Sequence, residues 1–171
     1  MTEVILVDAN DNAIGTMEKM EAHEKGLLHR AFSVLIFNSN GELLIQKRAS
    51  TKYHSGGLWT NTCCSHPTPQ ESIEQAAKRR LKEEMGIEAE PTFTYKFIYK
   101  TDLDKNLIEY EVDHVLTAQF DGEPKVNENE VEDWKYVSLK ELQRDAQDNP
   151  HLYTEWFKLI LKHQEIAILL N

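Results

Sequence analysis

Cysteine is scarce: only two occur in 171 residues, adjacent at Cys63 and Cys64. So few thiols cannot staple a secreted framework, and a reducing compartment, the cytoplasm, is expected. Long apolar runs are missing too. No stretch is long and apolar enough to span a membrane, and the start, Met1–Asp8, lacks the basic segment and extended apolar run of a secretory leader. Basic charge is in deficit, with 19 Lys and Arg against 29 Asp and Glu, a formal net charge of −10. That field repels polyanions, so neither nucleic acid nor an anionic membrane surface is an expected partner. Repeats, low-complexity tracts and linkers are absent. What is there, 40% hydrophobic residues over this length, suits one domain spanning residues 1–171.

Ala31–Phe37 and Glu42–Lys47 are apolar-rich runs around Asn38-Ser39-Asn40-Gly41, whose Asn-Gly pair accepts positive φ, which predicts a β-hairpin. Leu58–Thr62, after Gly56 and Gly57, is a further extended segment. Glu71–Met85 has Ile73, Ala76, Ala77 and Leu81 at helical spacing and is stopped by Gly86. Thr92–Tyr99, Glu109–Phe120 and Trp134–Val137 read as strands. Ser138 caps a helix running through Leu142, and Leu152–Leu170 reads as a terminal amphipathic helix. Strands, then helix, then strands, then helices argue for a mixed α+β or α/β sandwich rather than a regular βαβ array.

Several groups can do chemistry. In an extended stretch Cys64 and His66 share a face while Cys63 points the other way, so one cysteine can be chemical and its neighbour structural. Taken singly, a cysteine is most often a small buried hydrophobe. Glu109 and Glu111 share a strand face, with Asp113 beyond them, and burying two neighbouring carboxylates requires a cation between them. His23 and His29 flank a loop containing Gly26. With His66 they would make a mixed nitrogen and oxygen site suited to Zn²⁺, Mn²⁺ or Mg²⁺. On the helix, Arg80 and Glu84 lie four apart and present a guanidinium and a carboxylate together, a mount for metal and phosphate; alone, this is also how an ion-paired surface helix looks. Lys47, Arg48, Lys52, Arg79 and Arg80 form a local basic cluster that leaves a small anionic ligand open despite the net charge.

The run Arg79-Arg80-Leu81-Lys82-Glu83-Glu84-Met85-Gly86-Ile87, with Glu71 before it, resembles the Nudix box. Ser65 stands where the box has its glycine, and Arg80 replaces the Glu after the arginine. One acidic ligand fewer and one cation more weaken the metal cluster with which Nudix hydrolases activate water. The resemblance implies a Nudix-type sandwich with a mixed central sheet flanked by helices.

A more specific resemblance runs through Gly15–Lys19, His23, His29–Ser33, Lys47-Arg48, Trp59–Pro67, Arg79-Arg80, Glu109-Tyr110-Glu111 and Trp156. Over most of its length the chain resembles the type 1 isopentenyl diphosphate isomerases, with Asn61-Thr62-Cys63-Cys64-Ser65-His66-Pro67 the most diagnostic string. One departure is His54-Ser55-Gly56-Gly57, where many relatives have an aromatic-Pro-Gly turn.

That resemblance implies a metal-dependent isomerase of isoprenoid biosynthesis, interconverting isopentenyl and dimethylallyl diphosphate through a tertiary carbocation. It implies Glu111 as proton donor in the forward direction and Cys64 as acceptor, with Tyr99 assisting Glu111 and Trp156 as an aromatic lid; Trp59 would face it. His23, His29, His66, Glu109 and Glu111 would hold one divalent ion, and Glu84 with the Cys64 carbonyl a Mg²⁺ bound by the diphosphate. Lys19, Arg48, Lys52 and Arg80 would meet the phosphates. Metal and basic neighbours would raise the thiolate fraction of Cys64. No organic cofactor is implied, the partner is the small diphosphate substrate, and a monomer or weak homodimer is expected. Competing readings are a Nudix pyrophosphohydrolase using Glu71, Glu83 and Glu84, and a non-catalytic diphosphate- or metal-binding module.

Overall fold

The computed structural model describes residues 2–166. Strands β1, Glu3–Val7, and β2, Ala13–Glu18, pair antiparallel and lead into helix α1, Lys19–Lys25. None of the three is among the expected elements; the apolar run Val4–Val7 marks β1, but β2 and α1 leave no pattern. Strand β2 is exposed over most of its length, so no polar–apolar alternation marks it, and α1 is short and largely polar.

The predicted hairpin forms as β3, His29–Phe37, and β4, Glu42–Arg48, but the two pair only at Phe37 and Leu43 before they splay. Into the gap run β5, Trp59–Thr60, against β4, and β6, Cys63–Ser65, against β3. The residues between them tie the splayed strands together. Thr62 Oγ1 accepts from the Ile36 amide at 3.0 Å and donates to the Leu44 carbonyl at 2.5 Å. Asn61 Nδ2 donates to the carbonyls of Val34 and Cys63 at 3.1 and 2.8 Å. These side chains satisfy backbone groups that the splay would leave buried and unpaired.

Helix α2, Ile73–Met85, starts with Ser72 and Gln75 capping each other's backbone amides and stops at Gly86, whose φ is 64°. A side chain at Gly86 would also run into the Lys125 carbonyl. Strand β7, Thr92–Asp102, pairs antiparallel with β8, Ile108–Gln119, and β8 runs parallel to β3 with Glu111 beside His29. Strand β9, Val131–Ser138, closes on β4, giving a mixed nine-stranded sheet. Ser138 caps helix α3, Leu139–Asp148, as expected.

Period-two alternation along β3 divides the core. Phe32, Val34 and Ile36 pack against Leu81 and Met85 of α2 on one side. Leu35, with Leu43 and Val115, packs on the other against Leu142 of α3 and Phe157 and Ile160 of helix α4, Glu155–Lys162. This is the expected sandwich. The terminal helix is a correction: Pro150–Leu152 is a separate 3-10 turn, α4 spans only Glu155–Lys162, and His163 leaves the helix at φ −68°, ψ 138°. The part of the expected Leu152–Leu170 range beyond residue 166 lies outside the described residues. Among the described residues no helix is long and apolar enough to cross a membrane.

Candidate active site

Gly26, in the left-handed conformation that glycine adopts freely, turns the chain so that two histidines face one another. His23 of α1 directs Nδ1 to the Lys19 carbonyl at 2.7 Å, and His29 of β3 directs Nδ1 to the Leu27 carbonyl at 2.9 Å. Both therefore keep Nε2 for the interior, with ring centroids 5.0 Å apart. The parallel register of β3 and β8 sets Glu111 beside His29, and the chain leaving β6 supplies His66. Glu111 Oε2 accepts from Nε2 of His66 at 2.8 Å and of His29 at 2.9 Å, while its Oε1 accepts the Tyr99 hydroxyl at 2.8 Å.

Ligand atoms of His23, His29, His66 and Glu111 lie within 4.8 Å of one another, and all four residues are buried. Glu109 falls in an adjoining group with His23 and His54 rather than in this one. His23 Nε2 and Glu109 Oε2 are buried and have no hydrogen-bond partner. Orphaned buried polar atoms are uncommon in folded proteins, and here they belong to an imidazole and carboxylate donor set. The cluster fits a divalent metal ion.

The electrostatics divide the two carboxylates. Burial raises the Glu111 carboxyl, but hydrogen bonds from His29 and His66 outweigh it and hold the group well below the usual range. Burial and the Glu111 charge push Glu109 well above that range. Burial lowers the basicity of His66 to a pKa of about 4 against the pull of Glu111, and His54 to about 2. Burial opposes protonation of His29, yet its contact with Glu111 prevails and raises it.

Cys64, Glu109, Glu111 and Trp156 line one cavity of about 300 Å³. Lys19, Arg48, Lys52 and Arg80 line it too, so the four cations expected to meet a diphosphate are brought together. Alternation in β6 separates the cysteines as the pattern predicts: Cys63 is buried against α2, and Cys64 faces the cavity with Sγ 3.9 Å from Arg48 Nη1. The expected gain in thiolate is not supplied by the protein groups, since burial raises the Cys64 pKa and outweighs Arg48.

Glu84 is buried at the cavity wall. Its Oε1 accepts from Arg80 Nη2 at 2.8 Å, its Oε2 has no partner, and burial raises its pKa. Arg80 also holds Glu83 at 2.7 Å and Glu130 at 2.6 Å. Trp156 is 2% exposed, fixed by donation from Nε1 to Asn61 Oδ1 at 3.2 Å and faced by the Arg48 guanidinium at 5.4 Å. It stands as a packed wall in this conformation rather than a raised lid. Trp59 lies away from the cavity, against the α3 and α4 core, with Lys135 over its ring at 4.6 Å.

Two neighbours of the site carry no sequence signal. Glu130 reaches Arg80 from the turn before β9, and His54 reaches the histidine cluster from the loop after β4. Neither has a periodic relation to the other site residues.

A NUDIX domain model matches residues 27–157. The chain is 51% identical over 166 residues to a protein named isopentenyl-diphosphate Delta-isomerase 2 from Photorhabdus laumondii, covering 95% of this chain and 94% of that one. It is 53% identical over 156 residues to an isopentenyl-diphosphate Delta-isomerase 1 from Aromatoleum aromaticum, covering 91% and 88%. A crystal structure from Deinococcus radiodurans superposes with a TM-score of 0.78 at 16% identity, covering 94% of this chain and 97% of that one, and shows likeness of fold. A MutT protein from Methanosarcina mazei superposes with a TM-score of 0.65 at 19% identity, covering 79% and 91%.

Proposed function

The chain belongs to the Nudix family and, within it, to the isopentenyl-diphosphate Delta-isomerases, and from that premise we propose how its site, in one domain, carries out the reaction. The chain is an isomerase of isopentenyl and dimethylallyl diphosphate. The observation that carries the mechanistic reading is that a thiol, Cys64, and a carboxylate, Glu111, from separate strands open on one cavity with the cations Lys19, Arg48, Lys52 and Arg80. One group adds a proton to the alkene and the other removes one.

Lys19, Arg48, Lys52 and Arg80 receive the diphosphate and hold the five-carbon chain between Cys64 and Glu111. A guanidinium can grip phosphate oxygens bidentately, which orients as well as attracts. A Mg²⁺ carried by the diphosphate would be held by Glu84, whose unpartnered Oε2 is suited to it, and by the Cys64 carbonyl. His23, His29, His66, Glu109 and Glu111 would hold the other ion, Mn²⁺, Zn²⁺ or Mg²⁺, whose positive charge lets two carboxylates stay buried together.

The resemblance assigns donation to Glu111 in the forward direction. The protonation states favour the roles exchanged, because burial keeps Cys64 a thiol while His29 and His66 keep Glu111 a carboxylate. Cys64 then gives its proton to C4; the C3=C4 electron pair forms the new C–H bond and leaves a tertiary cation at C3. Glu111 takes a proton from C2, and the released pair becomes the C2=C3 bond. Tyr99 stabilises Glu111 through Oε1, and the proton returns from Glu111 to Cys64 through solvent after product leaves. Water would trap the cation as an alcohol, so Trp156 seals the wall and offers its ring face, an interaction of about 2 kcal/mol when desolvated.

Arg80, engaged by Glu83, Glu84 and Glu130, neutralises the carboxylates a Nudix hydrolase would use for metal-activated water. Incubation with isopentenyl diphosphate and Mg²⁺ tests the reading. Dimethylallyl diphosphate is expected; released phosphate without it would contradict the proposal.

A further inference from the structure

His54 is the one histidine at the metal cluster that the family resemblance does not use. Its ring is 2% exposed, 5.7 Å centroid to centroid from His23 and 5.7 Å from Trp156. Its Nε2 lies 4.0 Å from Glu109 Oε2, too far for a hydrogen bond, and that oxygen has no other partner. The ligand atoms of His23, His54 and Glu109 lie within 4.8 Å of one another.

We propose that His54 is a ligand of the divalent ion, bound beside Glu109 and His23, the histidine that its close group of ligand atoms shares with that of His29, His66 and Glu111. The proposal rests on the five-ligand reading above and extends it by one imidazole. With metal–ligand bonds of about 2.1 Å, two atoms on one ion stand about 3 Å apart when adjacent and about 4 Å apart when opposite. The Nε2–Oε2 separation falls in that range. Two buried atoms without partners, His23 Nε2 and Glu109 Oε2, lie in this triad.

The ring is also mounted as a ligand. Metal-bound histidines characteristically spend their second nitrogen on an outer hydrogen bond, which fixes the ring. His23 and His29 do so at Nδ1 toward backbone carbonyls, and His54 does so at Nδ1 toward Ser55 Oγ at 2.9 Å. The loop itself is held: Arg48 Nη2 donates to the His54 carbonyl at 3.1 Å, and the Ser55 amide donates to Asp104 Oδ1 at 2.8 Å. Gly56 is packed so closely on the Ser50 carbonyl that a Cβ would stand 2.6 Å from it. A further imidazole moves the preference of the site from Mg²⁺ toward ions that favour nitrogen, such as Zn²⁺.

The test uses the full chain, labelled with ¹⁵N-histidine, stripped by chelator and titrated with Zn²⁺. The Nε2 resonance of His54 is expected to move into the metal-bound range together with those of His23, His29 and His66. His54→Gln, checked for folding by circular dichroism, is expected to lose at least about tenfold in Zn²⁺ affinity, the loss that even outer partners of ligands cause. Movement of the other three resonances with His54 unchanged overturns the His54 assignment and leaves the five-ligand reading intact. No movement at any of the four overturns both.

Discussion

Tyr99 and Glu111 sit directly opposite each other on adjacent strands, and the tyrosine hydroxyl donates to the carboxylate at 2.8 Å. The bond meets the Glu111 oxygen that the histidines leave free, so Tyr99 stabilises the charged carboxylate without competing with them. Tyr99→Phe removes only that hydroxyl. The expected outcome is a fall in kcat of about 10²-fold, within the range for proton-transfer groups, with KM little changed. Steady-state kinetics under metal saturation check it.

Strand β8 was the most legible part of the site. Glu109, Glu111 and Asp113 repeat every second residue, and all are buried on the face that Val115 continues into the core. The same rule separated Cys63 from Cys64. His54 was illegible because it reaches the cluster through a loop that has no period. The apolar spacing of the terminal segment overstates its helix, because the spacing persists past Lys162, where the backbone has already turned extended at His163. Strand β2 is silent for the opposite reason, having too little buried surface to leave a pattern.

Thr62→Val tests the device that inserts the catalytic string between splayed strands. The change keeps the shape but strands the Ile36 amide and the Leu44 carbonyl, both bonded to the hydroxyl. A loss of about 1–3 kcal/mol for each buried group left unpaired is expected. Urea unfolding measures it.

Glu71 receives two hydrogen bonds from Arg79, at 2.6 and 2.8 Å, and these hold its pKa down at about 2. A depressed carboxyl stabilises the fold above its unfolded value near 4.5 and loses that contribution as pH falls toward about 2. In Glu71→Gln the stability lost between these limits should be smaller than in the parent by up to about 1 kcal/mol, the pair being partly solvated. Urea midpoints across that window check the sign.

Arg80→Met should raise KM for isopentenyl diphosphate and weaken inorganic diphosphate binding by about 10–10²-fold, the scale of a charge-assisted hydrogen bond worth roughly 1.5–3 kcal/mol. Binding of inorganic diphosphate with Mg²⁺, measured by calorimetry, reads this directly.

The division of proton transfer between Cys64 and Glu111 is tested most directly by metal-loaded Cys64→Ala in D₂O, followed by NMR, because that change removes a thiol outside the metal-ligand set. Product formation should fall by about 10²–10⁴-fold, while Glu111 still exchanges deuterium into C2 of dimethylallyl diphosphate without releasing isopentenyl diphosphate. Deuterium entering C4 of isopentenyl diphosphate instead would reverse the two roles, and near-normal product formation would contradict the pair altogether.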